Sequence, residues 1–177
     1  MDTLTSTNYF EMFGLPLRFS IDMRHLELAF RRLQAEVHPD RHASHTETER
    51  RLAQQFSTTV NDGYRTLRHP ASRAQCLLSL AGQGDALETK GGVSSSFLMA
   101  QMEWREAIED ASAARDSAAL EALSRRLRYK LATQEKDLAS ALDEYGDFRM
   151  AAERVNELRF YEKLRVEIDD ALDRLEE

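Results

Sequence analysis

Residues 30–41 read FRRLQAEVHPDR, so a His-Pro-Asp tripeptide directly follows an arginine-bearing segment. Upstream of Pro39, apolar residues recur at intervals of three and four, a spacing that predicts a helix with one buried face. They are Leu26, Ala29, Phe30, Leu33 and Val37. Pro39 ends this helix, because the residue before a proline avoids the α region. The arginines lie off the apolar stripe and are expected to face water: Arg24, Arg31 and Arg32.

A second helix is predicted on the far side of the tripeptide. Thr46 and Glu49 have the spacing of a capping box, in which each side chain accepts a hydrogen bond from the other residue's backbone N–H. The apolar stripe that follows comprises Leu52, Phe56, Val60, Gly63 with Tyr64, and Leu67. Two such helices joined by the polar loop 38–46 should pair as an antiparallel hairpin. The tripeptide therefore lies in the loop of a helical hairpin.

Shorter elements flank the hairpin. Residues 9–13 form an apolar segment that ends at Gly14 and Pro16, and Asp22 is placed to cap the first hairpin helix. His69-Pro70 closes the second hairpin helix, and residues 72–80 predict one more helix. No alternating strand pattern occurs.

The C-terminal half predicts a separate bundle. Residues 82–96 are rich in glycine and serine, which indicates a linker. Three amphipathic helices follow, and their short connections predict an antiparallel arrangement. They span about 95–114, 117–145 and 147–175, with Gly146 between the last two. The predicted fold is all-α: an N-terminal domain at 1–76, a junction helix end and linker at 77–96, and a three-helix bundle at 97–177.

Charge is distributed unevenly along the 177 residues. Residues 1–76 carry 10 Arg against 9 Asp and Glu, a balance of +1, and residues 77–177 carry 14 Lys and Arg against 22 Asp and Glu, a balance of −8. This asymmetry suggests two modules with different partners. The acidic total without a Lys/Arg run disfavours nucleic-acid binding, and a nine-residue hairpin loop disfavours a helix-turn-helix DNA reader.

Cysteine content and hydropathy exclude further classes of protein. Cys76 is the one cysteine, which rules out an internal disulfide and a Cys-rich zinc site, and it is expected to be a small buried residue. No run of about 20 apolar residues is available to span a membrane. Residues 1–8 lack a signal or transit pattern, so a cytoplasmic location is expected.

The hairpin sequence resembles a known family. Phe30-Arg31-Arg32-Leu33, His38-Pro39-Asp40-Arg41 and residues 61–67 (NDGYRTL) resemble a J domain. Val37 departs from the pattern, since many J domains carry tyrosine there. Further segments resemble HscB, the J-protein family of bacterial iron–sulfur cluster assembly, and extend the similarity over nearly the whole chain. They are residues 9–16 (YFEMFGLP), 67–74 (LRHPASRA), 77–80 (LLSL), 97–99 (FLM) and 158–164 (LRFYEKL).

The resemblance implies a co-chaperone that stimulates an HscA-type chaperone of the DnaK family and does no bond chemistry itself. In the family, the aspartate of the tripeptide pairs with a chaperone arginine, a role that falls to Asp40. Pro39 stiffens the loop before a partner arrives, and the arginines supply a face for an acidic patch. The implied chaperone-binding residues are His38, Pro39, Asp40, Arg31, Arg32, Arg24 and Phe30.

The angular positions of side chains around the bundle helices predict a second binding site. At about 100° per residue, Trp104 aligns with a core stripe, and Met99, Met102 and Glu106 project from nearly the opposite side. The stripe comprises Phe97, Ala100, Ala107, Ile108 and Ala111. On the last helix, Ala151, Val155, Leu158 and Leu172 mark the core side, and Phe160 lies well off it. The resemblance implies that the iron–sulfur scaffold IscU binds Leu98, Met99, Met102, Glu103, Glu106, Asp110 and Phe160.

Other interpretations stay open at this point. The apolar residues of the second site could instead pack under the linker or against the N-terminal domain. A J protein of this architecture could serve a different client. An enzyme or metal protein could use His38, His42 and His45, although Pro39 breaks any helix joining them. Neither a nucleophile–base pair nor a phosphate loop supports an enzyme, and no metal, cofactor, nucleic acid or membrane partner is expected.

Overall fold

A computed structural model of the chain describes residues 8–36, 46–84 and 94–176. Its helices are α1 (Tyr9–Met12), α2 (Met23–Glu36), α3 (Glu47–Arg68), α4 (Pro70–Leu80), α5 (Ser95–Ala113), α6 (Ser117–Ala139) and α7 (Phe148–Glu176). A π-helical turn, Ser140–Tyr145, continues α6. Strands are absent from these three ranges, which confirms the predicted all-α fold. In the same ranges, no helix combines the length and the apolar character needed to cross a membrane.

The chain divides into two compact units, Met1–Gly82 and Gln83–Glu177. The boundary predicted after residue 76 falls inside α4, which continues to Leu80. Leu77 and Leu78 in this last part of α4 are buried, so the helix belongs as a whole to the first unit. Residues 85–93 of the predicted linker lie outside the described residues.

Local sequence signals set the helix starts. Asp22 accepts hydrogen bonds from the backbone N–H groups of Arg24 (2.9 Å) and His25 (3.2 Å), as a capping residue of α2 does. The capping box of α3 is present: the Glu49 N–H donates to Thr46 Oγ1 at 3.3 Å, and the Thr46 N–H donates to Glu49 Oε2 at 2.8 Å. Both predicted caps are confirmed. Helix α4 begins at Pro70, two residues earlier than predicted, because proline suits the first helical position.

The first unit is built on the pairing of α2 with α3. Leu26 and Leu33 on α2 and Val60 and Leu67 on α3 are buried, as the apolar stripes predict. Leu52 and Phe56 were also expected in the stripe, and both are exposed. Both lie more than one helical turn before Asn61, whose side chain accepts a hydrogen bond from Gln34 near the end of the described part of α2 (3.1 Å).

Arg73 connects three parts of this unit. Its buried guanidinium donates from Nη1 to the Leu67 carbonyl oxygen at 2.8 Å, at the end of α3. The same group lies 4.6 Å from the centre of the Phe19 ring, in the loop before α2. One helical turn later, Cys76 is half-buried, and this burial raises the pKa of its thiol.

Gly63 lets α1 pack closely on α3. A Cβ atom at this position would lie 2.8 Å from Tyr9 Cδ1 and 2.9 Å from Phe13 Cε2, and the Phe13 ring is fully buried. These distances are shorter than van der Waals contact, so an added methyl group would force the aromatic rings of α1 to shift. Gly63 has helical backbone angles, which any residue can adopt. Glycine is therefore required at this position for space and not for its backbone freedom.

Gly63→Ala is expected to destabilise the first unit by about 1–2 kcal/mol. Overpacking costs about 1–3 kcal/mol, and the better helix propensity of alanine recovers up to about 1 kcal/mol. Hydrogen exchange of the α3 amides in the full chain reports the opening of this unit by itself. Thr58→Ala, at an exposed position of the same helix, is the matched control and should leave protection unchanged or slightly increased, because alanine has the better helix propensity. Equal protection in the two variants would show that α1 adapts without cost.

The second unit is the predicted three-helix bundle. Its core contains Trp104 and Ile108 from α5, Leu127 from α6, and Val155 and Leu164 from α7, all buried. The connections between its helices are only a few residues long, so successive helices run antiparallel. Gly146 ends the π-helical turn in the left-handed region (φ 62°), where glycine has no steric penalty, and α7 begins two residues later.

Candidate functional site

The outward face of α2 is basic. Arg24, Arg31 and Arg32 are all exposed, as the helical phase predicted. Arg31 forms an ion pair with Glu27, one turn earlier on the same helix, and both side chains are largely solvated. A solvated pair of this kind contributes little to stability. The arginines are therefore available to a partner, and their predicted role in chaperone binding stays a prediction.

Phe30 occupies a different environment from the arginines. Its ring stacks on Tyr64 of α3 with the centroids 3.9 Å apart and the planes 13° apart. The side chain is half-buried in the contact between the hairpin helices. This geometry makes Phe30 part of hairpin packing, and its proposed direct contact with a chaperone stays a prediction.

The tripeptide itself, His38-Pro39-Asp40, lies outside the described residues, as do Val37, His42 and His45. In sequence, the tripeptide lies between the last described turn of α2 and the capped start of α3. Within residues 8–36, 46–84 and 94–176, no group of three or more His, Cys, Asp or Glu side chains could hold a metal ion.

The first bundle helix, α5, presents an apolar patch to solvent. Leu98 is 48% exposed, Met99 63% and Met102 71%, fractions far above those of core residues. The acidic residues Glu103, Glu106 and Asp110 are exposed on the same helix. All six side chains are exposed, which confirms the predicted outward position of Met99, Met102 and Glu106, opposite the buried Trp104. We call Leu98, Met99 and Met102, together with Phe160 of α7, the α5–α7 patch.

The position of Phe160 agrees with the sequence prediction only in part. Its ring meets Phe97 edge-to-face (centroids 5.5 Å apart, planes at 87°), so α5 and α7 are neighbours here. The side chain was expected to lie well off the core, and it is instead half-buried. The cause is the pair of rings beside it, since Phe97 and the buried Tyr161 (centroid 5.3 Å away) cover part of its surface.

An aromatic and cationic cluster under the patch was missed by the sequence reasoning. The Arg126 guanidinium lies 4.7 Å from the centre of the Trp104 ring, and Lys130 Nζ lies 5.6 Å from that of Tyr161. Burial raises the pKa of Tyr161, and the nearby Glu157 carboxylate raises it further. Tyr161 continues the apolar spacing from Leu158, so its burial could have been inferred. The cation–π pairs join separate helices and leave no mark in the local pattern.

Comparison with known proteins decides the family. Residues 93–169 match the family model described as the HSCB C-terminal oligomerisation domain. The co-chaperone protein HscB homolog of Azoarcus sp. strain BH72 is 52% identical over 169 residues, covering 96% of each chain. The homolog from Chromobacterium violaceum is 47% identical over 168 residues, covering 95% of each chain. The chain belongs to the HscB co-chaperone family.

Solved structures agree with this assignment. HscB from Vibrio cholerae superposes with a TM-score of 0.84 at 36% identity, covering 96% of this chain and 99% of that one. Human co-chaperone HscB gives 0.84 at 28% identity, covering 96% and 83%. Yeast Jac1, at 18% identity and a TM-score of 0.73, shares the fold. The first unit is thus a J domain, and the second is the three-helix C-terminal domain of an HscB co-chaperone.

Proposed function

We propose that this co-chaperone stimulates ATP hydrolysis by an HscA-type chaperone of the DnaK family and delivers the iron–sulfur scaffold IscU to it. The observation that carries the proposal is the α5–α7 patch, an exposed apolar surface with acidic neighbours on a family member whose other unit is a J domain. On this proposal the chain is a cytoplasmic regulator and contributes no catalytic residue, cofactor or metal. The bond chemistry belongs to the chaperone.

The J domain is proposed to engage the chaperone through the tripeptide and the basic face of α2. Asp40 would pair with a chaperone arginine, with His38 and Pro39 holding it in place. Arg24, Arg31 and Arg32 would accelerate the encounter with an acidic surface, because charges on the rim of an interface mainly affect the association rate. The effect on the chaperone would be faster hydrolysis and closure on the bound client.

The C-terminal domain is proposed to bind the scaffold through the α5–α7 patch. Methionine side chains suit this role because they are flexible and polarisable and adapt to a partner surface. Apolar residues at the centre would supply most of the affinity, while the acids around them would select a partner with basic residues. That rim comprises Glu103, Glu106 and Asp110.

Division into two units supports delivery by tethering. A scaffold held by residues 97–177 stays attached to the J domain through the segment that follows α4. Such a link raises the local concentration of the client at the chaperone without any new contact. Recruitment of the scaffold and stimulation of the chaperone can therefore depend on separate surfaces of the protein.

The proposal is tested by the ATPase rate of the chaperone with this protein and IscU, added singly and together. We expect weak stimulation by each and more than additive stimulation by the pair. An additive result would contradict client delivery. Stimulation by this protein without IscU binding would favour the alternative, a J protein of the same architecture for a different client. ATP hydrolysis by the chain without a chaperone would contradict the regulator role.

A further inference from the structure

An exposed leucine lies at the centre of the basic face of α2. The side chain of Leu28 is 60% exposed, on the side of the helix opposite Leu26 and Leu33, which form the core. On a helix surface, residues three and four positions apart are neighbours. Three of the four such neighbours of Leu28 are arginines, Arg24, Arg31 and Arg32, and the fourth is His25. All four are exposed.

Folding of the J domain makes little use of Leu28. The apolar stripe of α2 already pairs with α3, and most of the Leu28 surface remains in water. A single exposed leucine is common on protein surfaces and needs no explanation by itself. Leu28 differs because positive charges surround it.

This arrangement matches the anatomy of a binding hot spot. An apolar side chain at the centre contributes affinity when it fills a recess and loses water, and the polar residues around it exclude solvent. Arginines alone would speed association and set its salt dependence while adding little affinity. An apolar anchor and a cationic ring together fit a partner surface that has an apolar recess bordered by carboxylates.

We propose that Leu28 is the apolar anchor of the J domain's docking face and inserts into an acid-bordered apolar recess on the DnaK-family chaperone. This inference rests on the proposed function and adds a residue to the docking face that charge alone does not identify. The arginines would speed association with the chaperone, and Leu28 would slow dissociation of the complex.

The test compares rate constants for binding of the full-length protein to the ATP-bound HscA-type chaperone, at low and high salt, together with ATPase stimulation. Leu28→Ala is expected to weaken binding roughly tenfold or more, mainly through faster dissociation, with an unchanged salt dependence. Arg24→Gln should instead slow association and flatten the salt dependence. Leu28→Met, which keeps an apolar side chain of similar volume, should bind within about threefold of wild type.

Leu17 provides a matched control. It is 59% exposed, nearly the same as Leu28, and it lies in the loop before α2 rather than on that helix. Leu17→Ala should bind within about twofold of wild type, and neither alanine variant should lower the melting temperature appreciably, because both side chains are solvated. The inference is overturned if Leu28→Ala binds like wild type or loses no more affinity than Leu17→Ala. Failure of the wild-type protein to stimulate the chaperone would instead overturn the proposed function.

Discussion

Replacement of both Leu98 and Met102 by alanine is expected to eliminate measurable binding of the scaffold, while stimulation of the chaperone by the J domain survives. Truncating a central apolar anchor commonly costs about 2 kcal/mol, so two anchors together correspond to a loss of roughly a thousandfold. The melting temperature should barely change, because Leu98 and Met102 are 48% and 71% exposed. Calorimetric titration with IscU and thermal unfolding of the same samples measure the two effects.

Phe160→Ala belongs in a separate variant, because its consequences differ. The ring contacts Phe97 and Tyr161 edge-to-face, and each such aromatic pair contributes about 0.5–1.5 kcal/mol. We therefore expect Phe160→Ala to lose about 1–3 kcal/mol of stability in addition to scaffold affinity. Adding it to the double variant should abolish binding but would mix the two effects.

Controls for the patch are available on the same domain. Tyr129 on α6 is 78% exposed and outside the α5–α7 patch, so Tyr129→Ala should bind the scaffold normally. Glu103→Gln and Glu106→Gln should reduce affinity only slightly, since rim charges contribute little. Scaffold binding that persists within threefold in the Leu98/Met102 variant would refute the patch assignment. A large drop in its melting temperature would show that these residues support the core.

Asp40→Asn is expected to abolish stimulation of the chaperone ATPase without changing the helical content or scaffold binding of the protein. The substitution keeps the size of the side chain and removes the charge proposed to pair with a chaperone arginine. Leaving one member of a desolvated charge pair without its partner costs about 2–5 kcal/mol, or roughly thirtyfold or more. His38→Gln should have the same consequence. The ATPase rate at saturating chaperone and varied co-chaperone measures both.

The control for this change is another aspartate of the J domain. Asp62 pairs with Arg65 within α3 at 2.8 Å, so Asp62→Asn removes an equal charge that is already satisfied within the helix. It should stimulate the chaperone as wild type does. If Asp40→Asn also stimulates within twofold of wild type, the tripeptide is not the coupling element and the J-domain mechanism proposed for this chain is wrong.

Helix positions could be predicted because their signals are local. The Asp22 cap, the Thr46–Glu49 capping box and the stop at Gly146 each depend on a few neighbouring residues, and all three are present. The length over which α2 and α3 contact each other could not be predicted from such local signals. Leu52 and Phe56 fit the apolar stripe of α3, yet they are exposed, because burial depends on contacts with other segments and not on the stripe alone.

The candidate site shows the same difference between features set within one helix and features set by contacts between helices. Helical phase correctly predicted the exposed residues of α5, since phase is a property of one helix. The half-burial of Phe160 depends on Phe97, 63 positions earlier in the sequence. Arg126 over Trp104 is likewise a contact between helices, and Arg73 reaches a carbonyl and a ring from two other segments. Periodicity within one helix carries no information about such pairs.

The half-buried thiol of Cys76 bears on how this protein coexists with its proposed cargo. The thiolate, and not the thiol, is the form that coordinates iron, and burial raises the pKa of Cys76, so the thiol form prevails at neutral pH. No other cysteine occurs in the chain. On the proposed function, the chain would therefore present no readily ionised thiol to a cluster carried by the scaffold.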